Sequence, residues 1–144
     1  MSDLSPEDVA LLEAQVPVGL LMPADETMRL VHVTRGVVET HVGASAESVT
    51  TADGLVFWFD AGAGNLPVNR MATLNLLAVS EFSARTVPLL RGPALVTGRR
   101  GDHPDGLTQR QMQVLRREPG PAWLVGWILH MRRGARSSAP AELR

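Results

Sequence analysis

The run Gly54-Leu-Val-Phe-Trp-Phe59 constrains this chain more than any other feature. A nearly continuous apolar and aromatic stretch of this kind predicts a strand that crosses the centre of a sheet. A glycine-rich loop follows at residues 60–65, Asp-Ala-Gly-Ala-Gly-Asn. Asn69 then stands where a helix over residues 70–80 needs its cap. Met71, Leu74 and Ala78, widened by Leu77, are the expected buried stripe of that helix.

Around this centre the pattern is strand-rich. Residues 18–22 and 28–33 read as two strands joined by a polar hairpin connection at 23–27. In the second, Met28, Leu30 and His32 share one face and Arg29, Val31 and Val33 the other. Residues 35–42 are expected as a short helix, capped by Thr34 and stopped by Gly43, although their β-branched content also suits a strand. Residues 45–51 suit a short strand. Residues 89–97 suit a final strand around a turn at Arg91-Gly92, ended by Gly98. Before the sheet, Ser5, Pro6, Glu7 and Asp8 signal a helix start, with Val9, Leu12 and Val16 as its stripe and Pro17 as its stop. The breaker cluster at 101–106 marks a boundary of the core. Beyond it, Thr108 and Gln111 fit a capping box, and Leu107 and Met112 fit the hydrophobic staple that accompanies one. The resulting expectation is a small α+β domain: a mainly antiparallel sheet with helices packed on it and an extra C-terminal helical segment. Its parts are an N-terminal helix in 1–17, a core in 18–98, a helical extension in 99–131 and a basic, disordered tail in 132–144.

Composition removes several chemistries. The chain has 144 residues, 44% hydrophobic and 20% charged, and no cysteine. Disulfides, thiolate catalysis and cysteine-ligated zinc or iron–sulfur clusters are therefore excluded. All 14 basic residues are arginine, so neither a Schiff base nor a phosphate-loop lysine can form. The arginine bias reads either as GC-rich coding or as selection for phosphate and carboxylate recognition. Charge is uneven: residues 1–65 carry −8 and residues 66–144 carry +7. Such halves either face each other in one domain or expose a basic contact surface. The acidic opening residues carry no basic run, and the apolar stretch at 122–131 is about half of a membrane span, so a cytoplasmic location is expected.

Three pieces of sequence add a resemblance. They are DGLVFWFD at 53–60, NLPVNRMAT at 65–73 and GPALVTG at 92–98. Over residues 20–98 the chain resembles an uncharacterised family of phage, plasmid and actinobacterial proteins, the domain of unknown function 3846. The middle piece is similar to that family's Leu-Pro-x-Asn-Arg-x-Ala-Thr signature and the last to its closing strand. The resemblance implies a compact α+β domain and, for some members, an origin in mobile elements. It implies no activity, and it does not reach residues 99–144.

The candidate sites follow from local chemistry. Asp60, Gly62, Gly64, Asn65, Asn69 and Arg70 form a strand–glycine loop–helix unit, and a helix N-terminus offers N–H groups to an anion. The unit is neither a G-x-G-x-x-G fingerprint nor a phosphate loop, so a plain connecting loop competes with a nucleotide or phosphate site. Arg70 sits at the unfavourable end of the helix dipole and is expected to pair with Asp60. Arg110, Arg116, Arg117, Arg132 and Arg133 are candidates for nucleic-acid contact, against the plainer reading of a solvated face and tail. Trp123, Trp127 and Ile128 are interface candidates; as a helix they would form an apolar face for core or dimer packing. His32, His41, His103 and His130 are never three or four apart, so no metal site is expected, nor any cofactor. No serine sits in G-x-S-x-G, and general acid–base catalysis stays open.

The leading expectation is a non-enzymatic accessory or binding module of mobile-element type, acting through protein contacts or self-association. The alternatives are a nucleic-acid-associated protein using the arginine-rich C-terminal region, and a nucleotide or phosphate binder or enzyme using the Asp60–Arg70 loop.

Overall fold

The computed structural model describes residues 5–25, 27–62 and 64–115. The fold is α+β, with every strand pair antiparallel. Strand β1 (Val18–Met22) pairs with β2 (Arg29–His32) as one hairpin, and β3 (Ala46–Thr50) pairs with β4 (Val56–Asp60) as another. Between the hairpins lies the short helix α2 (Val37–His41). Strand β5 (Ala94–Arg100) then inserts between the inner strands, giving the order β2-β1-β5-β4-β3. β6 (His103–Asp105) pairs with the far end of β5.

The sheet centre is thus β5, and not the Leu55–Phe59 segment. Both segments are buried on two faces, which marks an interior strand without saying which interior position it takes. Ala94, Leu95 and Val96 are all 0% exposed, as is Phe57. Gly98 does not end β5; the strand runs on to Arg100 and turns at Gly101, whose φ is +60°. Gly98 is needed for a different reason. A Cβ there would lie 2.7 Å from the Gly106 carbonyl, so the close pass of residue 106 over β5 requires a glycine.

Each face of the sheet has its own apolar cluster. Leu20, Met22, Phe57 and Val96 meet α3 (Arg70–Val79) and the loop residues Val87 and Leu90. Leu21, Val31, Val33 and Leu95 meet Val37 and Val38 of α2 on the other face. The division of β2 into Met28/Leu30 and Val31/Val33 faces is as expected. The helix α4 (Gln109–Leu115) carries the expected capping box, Thr108 Oγ1 accepting from Gln111 N–H at 3.1 Å and Gln111 Oε1 accepting from Thr108 N–H at 2.9 Å. Leu107 and Leu115 join the same core as α3, so residues 99–115 pack on the sheet.

Three local expectations are corrected. Helix α1 (Pro6–Glu13) forms with Ser5 as its cap, but Val9 and Leu12 are exposed. It is held instead by the buried Asp8, whose Oδ1 accepts the Leu30 N–H of edge strand β2 at 3.0 Å. Helix α2 is preceded by Gly36, with no side-chain cap from Thr34. In α3 the buried residues are Ala72 to Leu76, while Ala78 is exposed and Met71 and Leu77 are half-buried. Val87 and Leu90 share the α3 core and the Leu90 N–H donates to Thr73, so more than one stripe of that helix is covered.

Candidate functional site

Asn69 organises the region that the sequence singled out. Its Oδ1 caps α3 by accepting the Ala72 N–H at 3.1 Å. Its Nδ2 donates to the Met22 carbonyl and to the Gly92 carbonyl, both at 2.8 Å. Its backbone N–H reaches Leu90 O at 2.7 Å, and Thr73 Oγ1 accepts the Leu90 N–H at 3.1 Å. The side chain is fully buried with both donors and its acceptor used, so it serves the architecture. Residues 65–73 and 92–98, two of the pieces that carry the family resemblance, meet at this one side chain.

The rest of the loop is on the surface. Gly62, Gly64, Asn65 and Arg70 are exposed. The Asp60 carboxylate turns back onto its own loop, Oδ1 accepting Gly62 N–H at 2.8 Å, so this amide already has its partner. The ion pairs Arg99–Asp102 and Arg100–Asp105 both lie in the β5–β6 hairpin. Arg116, Arg117, Arg132, Arg133, Trp123, Trp127 and Ile128 lie outside the described residues, so only Arg110 of the basic set is placed, exposed on α4.

A cleft of about 500 Å³ opens between α3 and α4, a size suited to a small ligand. Its lining includes Asn75, Ala78 and Val79 from α3, Arg110, Gln113 and Val114 from α4, and Asp53 from the β3–β4 turn. Gln111 fixes this corner, its Nε2 donating to the Asp53 carbonyl at 3.0 Å. The turn itself needs Gly54, at φ +80°. Asn75 is 1% exposed and donates to Met71 O at 2.8 Å; no described residue donates to its Oδ1. Of these residues the sequence singles out Arg110, as a nucleic-acid candidate, and Ala78, as part of a buried stripe; Asp53 and Asn75 were missed. The available signal was a polar asparagine between Leu74 and Leu76 in an apolar helix.

The second feature is the outer edge of β3. Thr51 N–H donates to Leu55 O at 2.8 Å, which sets the alternation of the β3–β4 ladder. Thr51, Val49 and Glu47 bond toward β4, while Ala46, Ser48 and Thr50 turn their N–H and C=O groups outward. Among the described residues no strand or helix pairs with that edge, whereas α1 closes the opposite edge through Asp8.

Among the described residues two titratable groups are perturbed, and neither lines the cleft. Hydrogen bonds from the Thr27 hydroxyl and N–H hold the Asp25 carboxyl below its ordinary value. Burial, then the Arg29 charge, lowers the pKa of His41. Among the described residues no group of three His, Asp or Glu side chains is placed to hold a metal ion. None of the described helices is long and apolar enough to cross a membrane. Comparison with family models, curated proteins and solved structures found no match for this chain.

Proposed function

We propose that this chain is a non-enzymatic binding module that acts through self-association, adding the β3 strand of a second copy to its open sheet edge. The observation that carries this reading is the asymmetry of the two edges: β2 is closed by Asp8, and the outward backbone groups of Ala46, Ser48 and Thr50 meet no described partner. Strand addition needs such an edge.

The register also fits a second copy. In antiparallel pairing, outward residues must meet outward residues. A pairing centred on Ser48 sets Ser48 opposite Ser48 and Ala46 opposite Thr50. Glu47 then lies opposite Val49, so the two carboxylates are not directly opposed. Mobile-element origin is part of the proposal and is supported only by the family resemblance over residues 20–98.

Sedimentation of the full chain and of Ser48→Pro tests the reading. Proline there removes an outward N–H and leaves the ladder to β4 intact. A concentration-dependent dimer that the substitution abolishes is expected. A chain that is monomeric at every concentration contradicts the proposal.

A further inference from the structure

We propose that α1 is a displaceable guard on the β2 edge, and that its release lets β2 pair antiparallel with the β2 strand of a second copy. The β3 edge takes no part in this pairing, and the proposal stands or falls without it.

The attachment of α1 is narrow. Asp8 is its one buried residue, and no α1 side chain belongs to either apolar cluster of described residues. Val9 and Leu12 are 39% and 37% exposed. Among the described residues, the hydrogen bond that ties α1 to the sheet is made by the Asp8 carboxylate. Its Oδ1 accepts the Leu30 N–H at 3.0 Å while Oδ2 accepts the Ser5 N–H at 3.4 Å. A side-chain acceptor thus takes the place of a neighbouring strand's carbonyl. The chain is fixed to its surroundings from Pro17 onward: Pro17 O accepts the Val33 N–H and Val18 O accepts the Leu107 N–H, both at 2.8 Å. Between these bonds and α1 stands Gln15, at φ +57°, the left-handed conformation that glycine usually supplies behind a helix. α1 can therefore leave as a unit, hinged at Gln15, without disturbing either cluster.

Beneath the guard the edge is self-complementary. Val33 bonds toward β1, so the alternation turns the N–H and C=O groups of Leu30 and His32 outward. A pairing centred on Val31 sets Leu30 opposite His32, outward residue against outward residue. Arg29 then lies opposite Val33, so the two guanidiniums are not directly opposed. With α1 seated, the Leu30 N–H is occupied; with α1 displaced, the edge is ready for strand addition, so the helix gates assembly.

Hydrogen exchange and sedimentation of the full chain test this, with Ser48→Pro as the background so that pairing at β3 is blocked. Asp8→Ala in that background should form a concentration-dependent dimer in which the Leu30 and His32 amides gain about tenfold or more in protection over dilute solution. In Ser48→Pro alone, these two amides should not respond to concentration. The readout is residue by residue, so a failure of pairing at β3 does not alter it. In the wild-type chain the Leu30 amide should be about tenfold or more less protected than those of Val31 and Val33, because it is freed when α1 alone opens. Leu30 and His32 amides that gain no protection with concentration in the double variant overturn the proposal, as does a wild-type Leu30 amide as protected as Val31 and Val33.

Discussion

The Asn69 carboxamide donates to the Gly92 carbonyl at 2.8 Å across 23 positions of sequence. The same nitrogen holds Met22 O, at the end of β1. One side chain thus ties the start of α3 to the turn that leads into β5 and to the end of β1. Asn69→Ala removes the helix cap and leaves two carbonyls without their donor. A loss of about 3 kcal/mol or more is expected in urea unfolding. Asn69→Asp keeps the cap acceptor but sets a carboxylate against those carbonyls, so it should not rescue. A change below about 1 kcal/mol would show that the knot is not structural.

Glycines 98 and 64 should respond in opposite ways. A Cβ at Gly98 meets backbone at 2.7 Å, whereas one at Gly64 meets nothing within 4 Å. Gly98→Ala should destabilise by about 1–3 kcal/mol through overpacking. Gly64→Ala should be neutral or stabilise by up to about 1 kcal/mol by narrowing the unfolded ensemble. Thermal melts of the two variants read the contrast directly, and equal melts would refute it.

Acid should weaken the fold through His41. Its pKa in the folded chain lies below the ordinary 6.5, with burial the larger cause and Arg29 the smaller. Between those two values the unfolded chain binds the extra proton. This contribution to stability is therefore complete above 6.5 and is lost as pH falls through the folded value. Urea unfolding on both sides of 6.5, repeated with His41→Gln, should show a shallower pH slope in the variant. An unchanged slope would remove His41 from the account.

Much of the frame was legible from local chemistry. Ser5, Asn69 and Thr108 each cap the helix that their neighbours announce, because a cap depends on residues within one turn. The hairpin of β1 and β2 was likewise readable from its polar connection, whereas the pairing of β3 with β4 was not foreseen. What escaped depends on distant partners. That β5 rather than β4 takes the centre depends on which hairpin each strand joins. Asp8 read as a helix-dipole residue, and its bond to Leu30 lies 22 positions away. Asn69 read as a cap with a place in a ligand loop, and the two carbonyls that occupy its amide come from 47 and 23 positions away. That no described element pairs with the outer edge of β3 is a property of the sheet, with no local signal beyond the polar content of Ala46–Thr50.

Amide hydrogen exchange at β3 tests the central claim most directly. In dilute solution Val49, bonded toward β4, should exchange slowly, and Ser48 and Thr50, facing outward, should exchange fast. At high concentration Ser48 and Thr50 should become protected in the wild-type chain, and Thr50 should stay fast in Ser48→Pro. Outward amides that remain fast at every concentration would contradict strand addition at this edge.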